Sequence, residues 1–437
     1  MTTIVFLRTL WRQLLRQRRL LQVFVVVWIV HYLRGVRRIR LHIGRGRGDV
    51  RAHRDAEERL ARILRRCSSL FEIYWPTWFA PGAYMQLAVL GLHEVRARLW
   101  WTPYSREVIS LRNGVQIALD WVRPELVRTE HLNAECGETL PVCILLHGAF
   151  QDSASVTMID LAKSLAACGL ATVVMNRRGY AGMGLSCDDP GLALFGMDED
   201  LDDVLTVVLR RHPGRPVAII GFSCGSGFSA RYTAHRNNLS AWTRLRLQQA
   251  SASRTSGFPG ILCCVAYDPG YNVSHDGAIS KMRWPVSWVV AFGMKFFYVF
   301  RHRKTLRSKS SSFSDLVSTL LSPKHGPVTT YRMMKRLCGA KGSSQYLELQ
   351  QPLLHDDPEV PLLCINSRDD PVCVWGNVEE FYDKIISCPN VVLAELARGS
   401  HGCKFSFWGW RNIAHAMMSD FVLASWQEWL ALRESGR

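Results

Sequence analysis

Pro216-Val217-Ala218-Ile219-Ile220-Gly221-Phe222-Ser223-Cys224-Gly225 is the stretch on which the fold turns. Its first half is a short apolar run of the kind that fills a buried strand. Its second half is Gly-x-Ser-x-Gly, and small residues opening a helix (226–236) follow directly. Strand, abrupt turn and helix are the setting in which a serine is lifted above the edge of a sheet as a nucleophile. Glycines flank the serine because the turn leaves no room for side chains, and the helix N-terminus favours nearby negative charge. A tightly packed Gly-Ser turn is the plainer reading. The strand before it and the helix after it favour the nucleophile, Ser223.

Working outward, further apolar runs stand at Val142–Leu146, Ala171–Met175, Ile261–Ala266, 361–365 and 390–395. Helical patterns separate or follow them at 158–167, 200–211 and 413–432. This alternation predicts a mostly parallel α/β sheet. Asn113-Gly114 between two alternating runs predicts an antiparallel hairpin at its front. Residues 270–350 break the rhythm with an aromatic run (Trp284 to Phe300), a basic run (Arg301 to Lys304) and a Ser-rich loop. They are expected to form a helical cap over the carboxyl ends of the strands, where such sheets bind ligands.

A serine hydroxyl needs a base, and the base needs an orienting acid. In this strand–helix order the acid and then the histidine follow the nucleophile. Asp369 and Asp370 both follow the run 361–365. Asp369 is taken as the acid and Asp370 as its alternative. His401, in the loop Arg398-Gly399-Ser400-His401-Gly402, is the expected base. Backbone N–H groups of Cys224 and Ala149 are the expected oxyanion donors, with Phe150 as second choice for the latter. His147 reads as structural, and its spacing to Asp152 is a weak match to an acyltransferase pattern. The acids from Asp198 to Asp203 read as a helix N-terminus rather than a metal site. No residue pattern calls for a metal or an organic cofactor.

Composition sets the outer limits. The chain has 437 residues, is 48% hydrophobic, and carries a formal net charge of +17. Disordered, fibrous and polytopic membrane classes are excluded by those values. Residues 1–66 hold seventeen arginines against four acids, thirteen of the seventeen excess positive charges. A body that binds nucleic acid would carry its basic patch on the folded part, so no nucleic-acid partner is expected. The thirteen cysteines are odd in number and contain no CxxC pair, which favours a reducing compartment. Residues 20–33 (LLQVFVVVWIVHYL) are mostly apolar and bracketed by arginines. They predict a hydrophobic anchor helix, single-pass or monotopic, although a straight span needs about twenty residues. An Arg-rich organellar presequence is the rival reading.

The chain resembles the membrane-anchored α/β-hydrolase-domain lipases and esterases, the YheT-like branch. The resemblance rests on Pro76-Thr77-Trp78 with Gln86, Leu111 to Trp121, Leu145 to Gly148, Asn176-Arg177-Arg178-Gly179, Gly221 to Gly225 and Asp369-Asp370-Pro371. It covers residue 74 to the end. Where that family has Leu-Gly-Gly after the nucleophile, this chain has Cys224-Gly225-Ser226. The resemblance implies an α/β-hydrolase fold and acyl chemistry on lipid esters such as acylglycerols, phospholipids or medium-chain esters. The expected organisation is an anchor or targeting segment (1–48), a connecting helix and extension (49–105) and a hydrolase domain (106–437). The expected function is a membrane-associated serine hydrolase, at the endoplasmic reticulum ahead of the mitochondrion. The alternatives are acyl transfer to an alcohol, or a catalytically silent lipid-binding scaffold.

Overall fold

The computed structural model describes residues 2–46, 51–99, 102–128, 140–185, 196–234, 260–272, 278–337 and 358–434. Its centre is a nine-stranded sheet: β1 (Arg40–Ile43), β2 (Tyr104–Ser110), β3 (Gln116–Val122), β4 (Val142–Leu146), β5 (Ala171–Met175), β6 (Val217–Phe222), β7 (Ile261–Tyr267), β8 (Leu362–Ser367) and β9 (Val391–Leu396). The spatial order is β1-β9-β8-β7-β6-β4-β5-β3-β2. The six strands from β9 to β5 are parallel. β3 and β2 close one edge antiparallel, and β1 closes the other.

The parallel strands are nearly continuous apolar runs because helices cover both faces. On one face α2 (Arg51–Arg65), α4 (Val156–Ala167) and α11 (Ile413–Glu434) bury Leu60, Met158 and Phe421 against Leu145 and Ile220. On the other, α5 (Asp198–Arg211) and α6 (Cys224–Ala234) bury Val204 and Phe228 against Ile144 and Ile219. This is the α/β-hydrolase arrangement. The Asn113-Gly114 turn joins β2 to β3 as expected, with Gly114 at φ 80°, which glycine adopts without strain.

The cap expectation is met between residues 278 and 337, and residues 338–357 lie outside the described residues. Helix α7 (Val286–Gly293), a π-helical turn (Met294–Phe300), α8 (Arg303–Lys309), α9 (Ser311–Leu321) and α10 (Pro327–Leu337) form it. Met294, Tyr298, Val299 and Leu320 bury a small core that rests on Ala149, Phe150 and Cys224. The other side of the aromatic run faces out: Trp284 is 75% exposed, and Trp288, Phe292 and Phe297 are also exposed.

The N-terminal expectations need two corrections. First, the segment expected as a separate anchor supplies a strand of the central sheet. β1 pairs with β9 in register, Arg40 opposite Glu395 and His42 opposite Leu393. His42 Nε2 lies 2.8 Å from Glu395 Oε2, so a side-chain hydrogen bond as well as backbone pairing seats the strand. Helix α2 is no mere connector, since Arg62 and Arg66 both reach Glu428 of α11, at 2.7 and 3.0 Å. Second, α1 (Thr2–Leu33) is a long helix, but among the described residues no helix is long and apolar enough to cross a membrane. The arginines before residue 20 confine the apolar stretch to its last fourteen residues, short of the span needed. Its outward apolar side chains, Phe24 and Val27 among them, remain exposed.

Candidate active site

Ser223 ends β6 in the strained conformation the motif requires, with φ 52°. Its N–H donates to Tyr267 O at 2.8 Å, which ties the turn to β7. Both flanking glycines are obligatory. A Cβ on Gly221 would sit 2.1 Å from Gly225 O, and one on Gly225 would sit 2.2 Å from Leu146 O. The turn packs against β4 so closely that only hydrogen atoms fit.

His401 follows β9 in a loop where Ser400 is at φ 47° and Gly402 at φ 74°. Its ring packs on Phe222, the residue before the nucleophile, with centroids 5.2 Å apart. Elbow and histidine loop therefore lie side by side, as expected. The acid is where the expectation fails. His401 Nδ1 meets Asp370 Oδ2 at 2.8 Å, whereas Asp369 turns away and accepts the Ser400 N–H at 2.9 Å. Both carboxylates follow β8 and meet the same loop, but only Asp370 bonds the imidazole. Its second oxygen, Oδ1, takes the N–H groups of Val372 and Cys373 at 2.7 and 2.9 Å, so the carboxylate is fixed in orientation. Burial raises the Asp369 carboxyl to about 6, with the Ser400 N–H and Arg398 pulling the other way.

The electrostatics suit a base. Burial alone would lower the pKa of His401. The Asp370 charge and its hydrogen bond outweigh that, Asp268 adds to them, and the net shift is upward from 6.5. With Nδ1 facing Asp370, Nε2 is the nitrogen left for a hydroxyl proton. Asp370, Cys373 and His401 also bring one possible metal-ligand atom each within 4.8 Å of one another. Burial pushes the Cys373 thiol well up, which disfavours the thiolate a metal would want, and Asp370 already uses its oxygens on the histidine and the turn. The cluster reads as the cradle of the acid.

Ala149 and Cys224 lie against each other. The Cys224 thiol, pushed up by burial, touches the Ala149 backbone. The loop holding Ala149 has Phe150 at φ 58°, and a Cβ on Gly148 would meet Gln151 Oε1 at 2.9 Å. His147 is fully buried, accepts the Arg177 N–H on Nε2 at 3.2 Å, and is structural. Asp152 takes the Ala154 N–H at 3.0 Å as a turn residue, so the His147–Asp152 pattern does not form a catalytic pair. The acids of α5 are likewise engaged: Asp200 by Arg178 at 2.5 Å and Asp203 by Arg112 at 3.1 Å.

Four supporting residues were given no role by the sequence reading. Arg177 is fully buried, and its Nη2 donates to Gly148 O at 2.6 Å, holding the oxyanion loop from behind. Its neighbour Asn176 bonds Asp120 at 2.8 Å and takes the Ser153 N–H at 2.9 Å. Asn176-Arg177-Arg178-Gly179 and the Asp120 within Leu111 to Trp121 are the visible trace of this brace in the sequence, although neither stretch names its target. Lys404 and Asp268 form the other support. Both are fully buried, the ammonium pairs with Asp268 and donates to Ser400 O at 3.1 Å, and Asp268 Oδ2 takes the Gly402 N–H at 2.6 Å. The pair grips the loop on both sides of His401. It joins residues 136 apart in the chain, which no local pattern reveals.

A family model described as serine aminopeptidase, S33, matches residues 137–245, the part from the oxyanion strand through the elbow helix. Human protein ABHD15 is 25% identical over 315 residues, 72% of this chain and 60% of that protein. Human phospholipase ABHD3 is 29% identical over 180 residues, 40% of this chain and 41% of that protein. The chain thus spans less than two thirds of the length of either relative. Among solved structures, brefeldin A esterase, a bacterial homologue of human hormone-sensitive lipase, aligns at 16% identity and TM-score 0.44, covering 80% of this chain and 87% of that one. The esterase Pf2001 of Pyrococcus furiosus aligns at 18% identity and TM-score 0.39, covering 69% and 86%. The sheet order described above is that of an α/β-hydrolase fold, with Ser223, His401 and Asp370 as its candidate site residues.

Proposed function

We propose that this chain is a serine hydrolase that cleaves carboxylic esters of lipids at a membrane surface. The observation that carries the reading is the strained Ser223 at the end of β6 beside a histidine whose Nδ1 is held by Asp370. Ser223 Oγ attacks the ester carbonyl while His401 Nε2 takes its proton. The Ala149 and Cys224 N–H groups receive the charge that develops on the carbonyl oxygen. His401 then returns the proton to the leaving alkoxide, which departs as the alcohol. Water attacks the acyl-serine by the same route in reverse and releases the acid. Asp370 keeps the imidazole in the working tautomer and stabilises its charged form.

Only neutral His401 can accept the serine proton. Its pKa is raised, so protonation shuts the reaction down over a range extending above 6.5. Hydrolysis of a short p-nitrophenyl ester and of a monoacylglycerol by the full chain in detergent tests the reading. kcat/KM is expected to climb with pH through an apparent pKa above 6.5. Transfer of the acyl group to added glycerol in preference to water would make the enzyme an acyltransferase instead. Absence of both products would leave the scaffold reading.

The lipid assignment draws support from the surface. Trp284, Trp288 and Phe292 of the cap are exposed, and Tyr84 Oη bonds Trp284 O at 2.9 Å, linking the cap to α3 (Ala83–Leu99). Beside them, Trp28 of α1 donates to Trp78 O at 3.1 Å, and Trp78 meets Trp408 edge to face. Exposed aromatics near an Arg-rich helix suit the headgroup region of an anionic bilayer, so monotopic placement replaces the spanning anchor. Flotation with phosphatidylserine-containing vesicles checks this. The chain is expected to float, and Trp284→Ser with Trp288→Ser to lower the bound fraction several-fold. Equal flotation of the variant would remove the cap from the docking surface.

A further inference from the structure

Away from the elbow, a cavity of about 570 Å³ opens where α3, α4 and the start of α11 meet. Its walls are unlike an acyl channel. Arg96, Lys163 and Arg411 stand around it and Asp160 is the acid among them. Trp410 stacks on His93 with centroids 5.3 Å apart and 14° between planes, and the Arg96 guanidinium lies 5.2 Å from the centre of the same indole. His415, in the first turn of α11, lines the cavity and is nine-tenths buried, and its Nε2 has no hydrogen-bond partner. Burial lowers that imidazole to about 4, so it is neutral and can donate or accept.

Three fixed positive charges against one acid, with a polar ring nitrogen left unpaired at the wall, describe a container for an anion. Two long helices also begin here. Val156 opens α4 and Ile413 opens α11, but the Val156 N–H is already taken by Glu94 Oε2 at 2.8 Å and the Ala414 N–H by Asn412 Oδ1 at 3.1 Å, so holding an anion falls to the side chains rather than to the helix ends. Burial raises the Asp160 carboxyl, with Lys163, His93 and Arg96 opposing. We propose that this cavity binds the phosphate group of a phosphate monoester, held by Lys163, Arg411 and Arg96 with His415 at its wall. Arginine and lysine give a phosphate oxygen its strongest neutral-pH contacts, and the Trp410 face suits a ligand that carries an organic stem. The site is separate from the ester site but adjoins its histidine loop. Asn412 lines the cavity and donates to Gly402 O at 3.1 Å, so one side chain belongs to both walls.

The same chemistry is offered by a soluble phosphate ester and by the headgroup of phosphatidate, and the test separates them. Isothermal titration of the full chain with sn-glycerol 3-phosphate is the first arm. Flotation on phosphatidylcholine vesicles with and without phosphatidate is the second. Each is repeated on Lys163→Glu with Arg411→Glu, both exposed positions, and on the milder Lys163→Gln with Arg411→Gln in case the first fails to fold. Loss of two charge-assisted contacts is expected to weaken binding by about tenfold or more. Titration heat that disappears in the variants identifies a soluble ligand. Phosphatidate-dependent flotation that disappears in them, without titration heat, identifies the headgroup. Binding that the variants leave unchanged, or no binding in either arm, overturns the proposal. None of these readouts depends on ester turnover.

Discussion

Ser223→Ala is expected to lower kcat by something on the order of 10⁶-fold, because the nucleophile and its base act as a unit and losing either forfeits nearly the whole effect. The fold should hardly notice. Alanine adopts the same φ of 52° at similar strain, and the backbone bond to Tyr267 O is unaffected. The change in stability is expected within about 0.5 kcal/mol. Fluorophosphonate labelling of wild type and variant side by side reads the site, and their thermal unfolding reads the fold. Labelling of wild type alone establishes an activated Ser223. Equal labelling of both proteins would place the reactive nucleophile elsewhere and dissolve the mechanism.

Asp370→Asn should separate the two neighbouring acids. The amide keeps an oxygen for the Val372 and Cys373 N–H groups but presents an NH₂ to His401, favouring the wrong tautomer. A loss of about 10⁴-fold in kcat is the expected outcome, as for other triads altered in this way. Asp369→Asn keeps an acceptor for the Ser400 N–H and should cost less than about tenfold, through small shifts of the loop. Steady-state hydrolysis of one ester by both variants decides the matter. Comparable losses would mean that the carboxylates exchange roles. A larger loss for Asp369→Asn would overturn the assignment.

What was legible in the sequence was what is local. The elbow could be read because strand, strained serine and small-residue helix all fall within the stretch 216–236, and each demands the next. The parallel strands could be read because burial on both faces leaves apolar runs behind. The choice between Asp369 and Asp370 could not be read. Both acids reach the loop that carries His401, Asp369 through the Ser400 N–H and Asp370 through the ring, and it is the Asp370 carboxylate that the Val372 and Cys373 N–H groups fix. β1 was hidden for another reason. Arg40-Leu41-His42-Ile43 continues a basic, apolar tail, and its strand character comes from Glu395 across the ladder. Arg177, Asp268 and Lys404 act on loops distant in sequence. Their roles emerge only once the strands are ordered.

The ninth strand changes what the leading helix can be. A helix on a loose tether would let the catalytic body tumble against whatever surface the helix rests on. Here the chain leaves α1 at Leu33 and is zipped onto β9 by Arg40. Only six residues intervene, and Gly35 among them fits so closely that a Cβ would lie 2.9 Å from the Arg398 side chain. Arg398 itself opens the segment that carries His401. The helix is thus a keel rather than a mooring line. A cut after residue 48 would also strip an edge from the sheet and leave one rim of β9 as an open template for another chain.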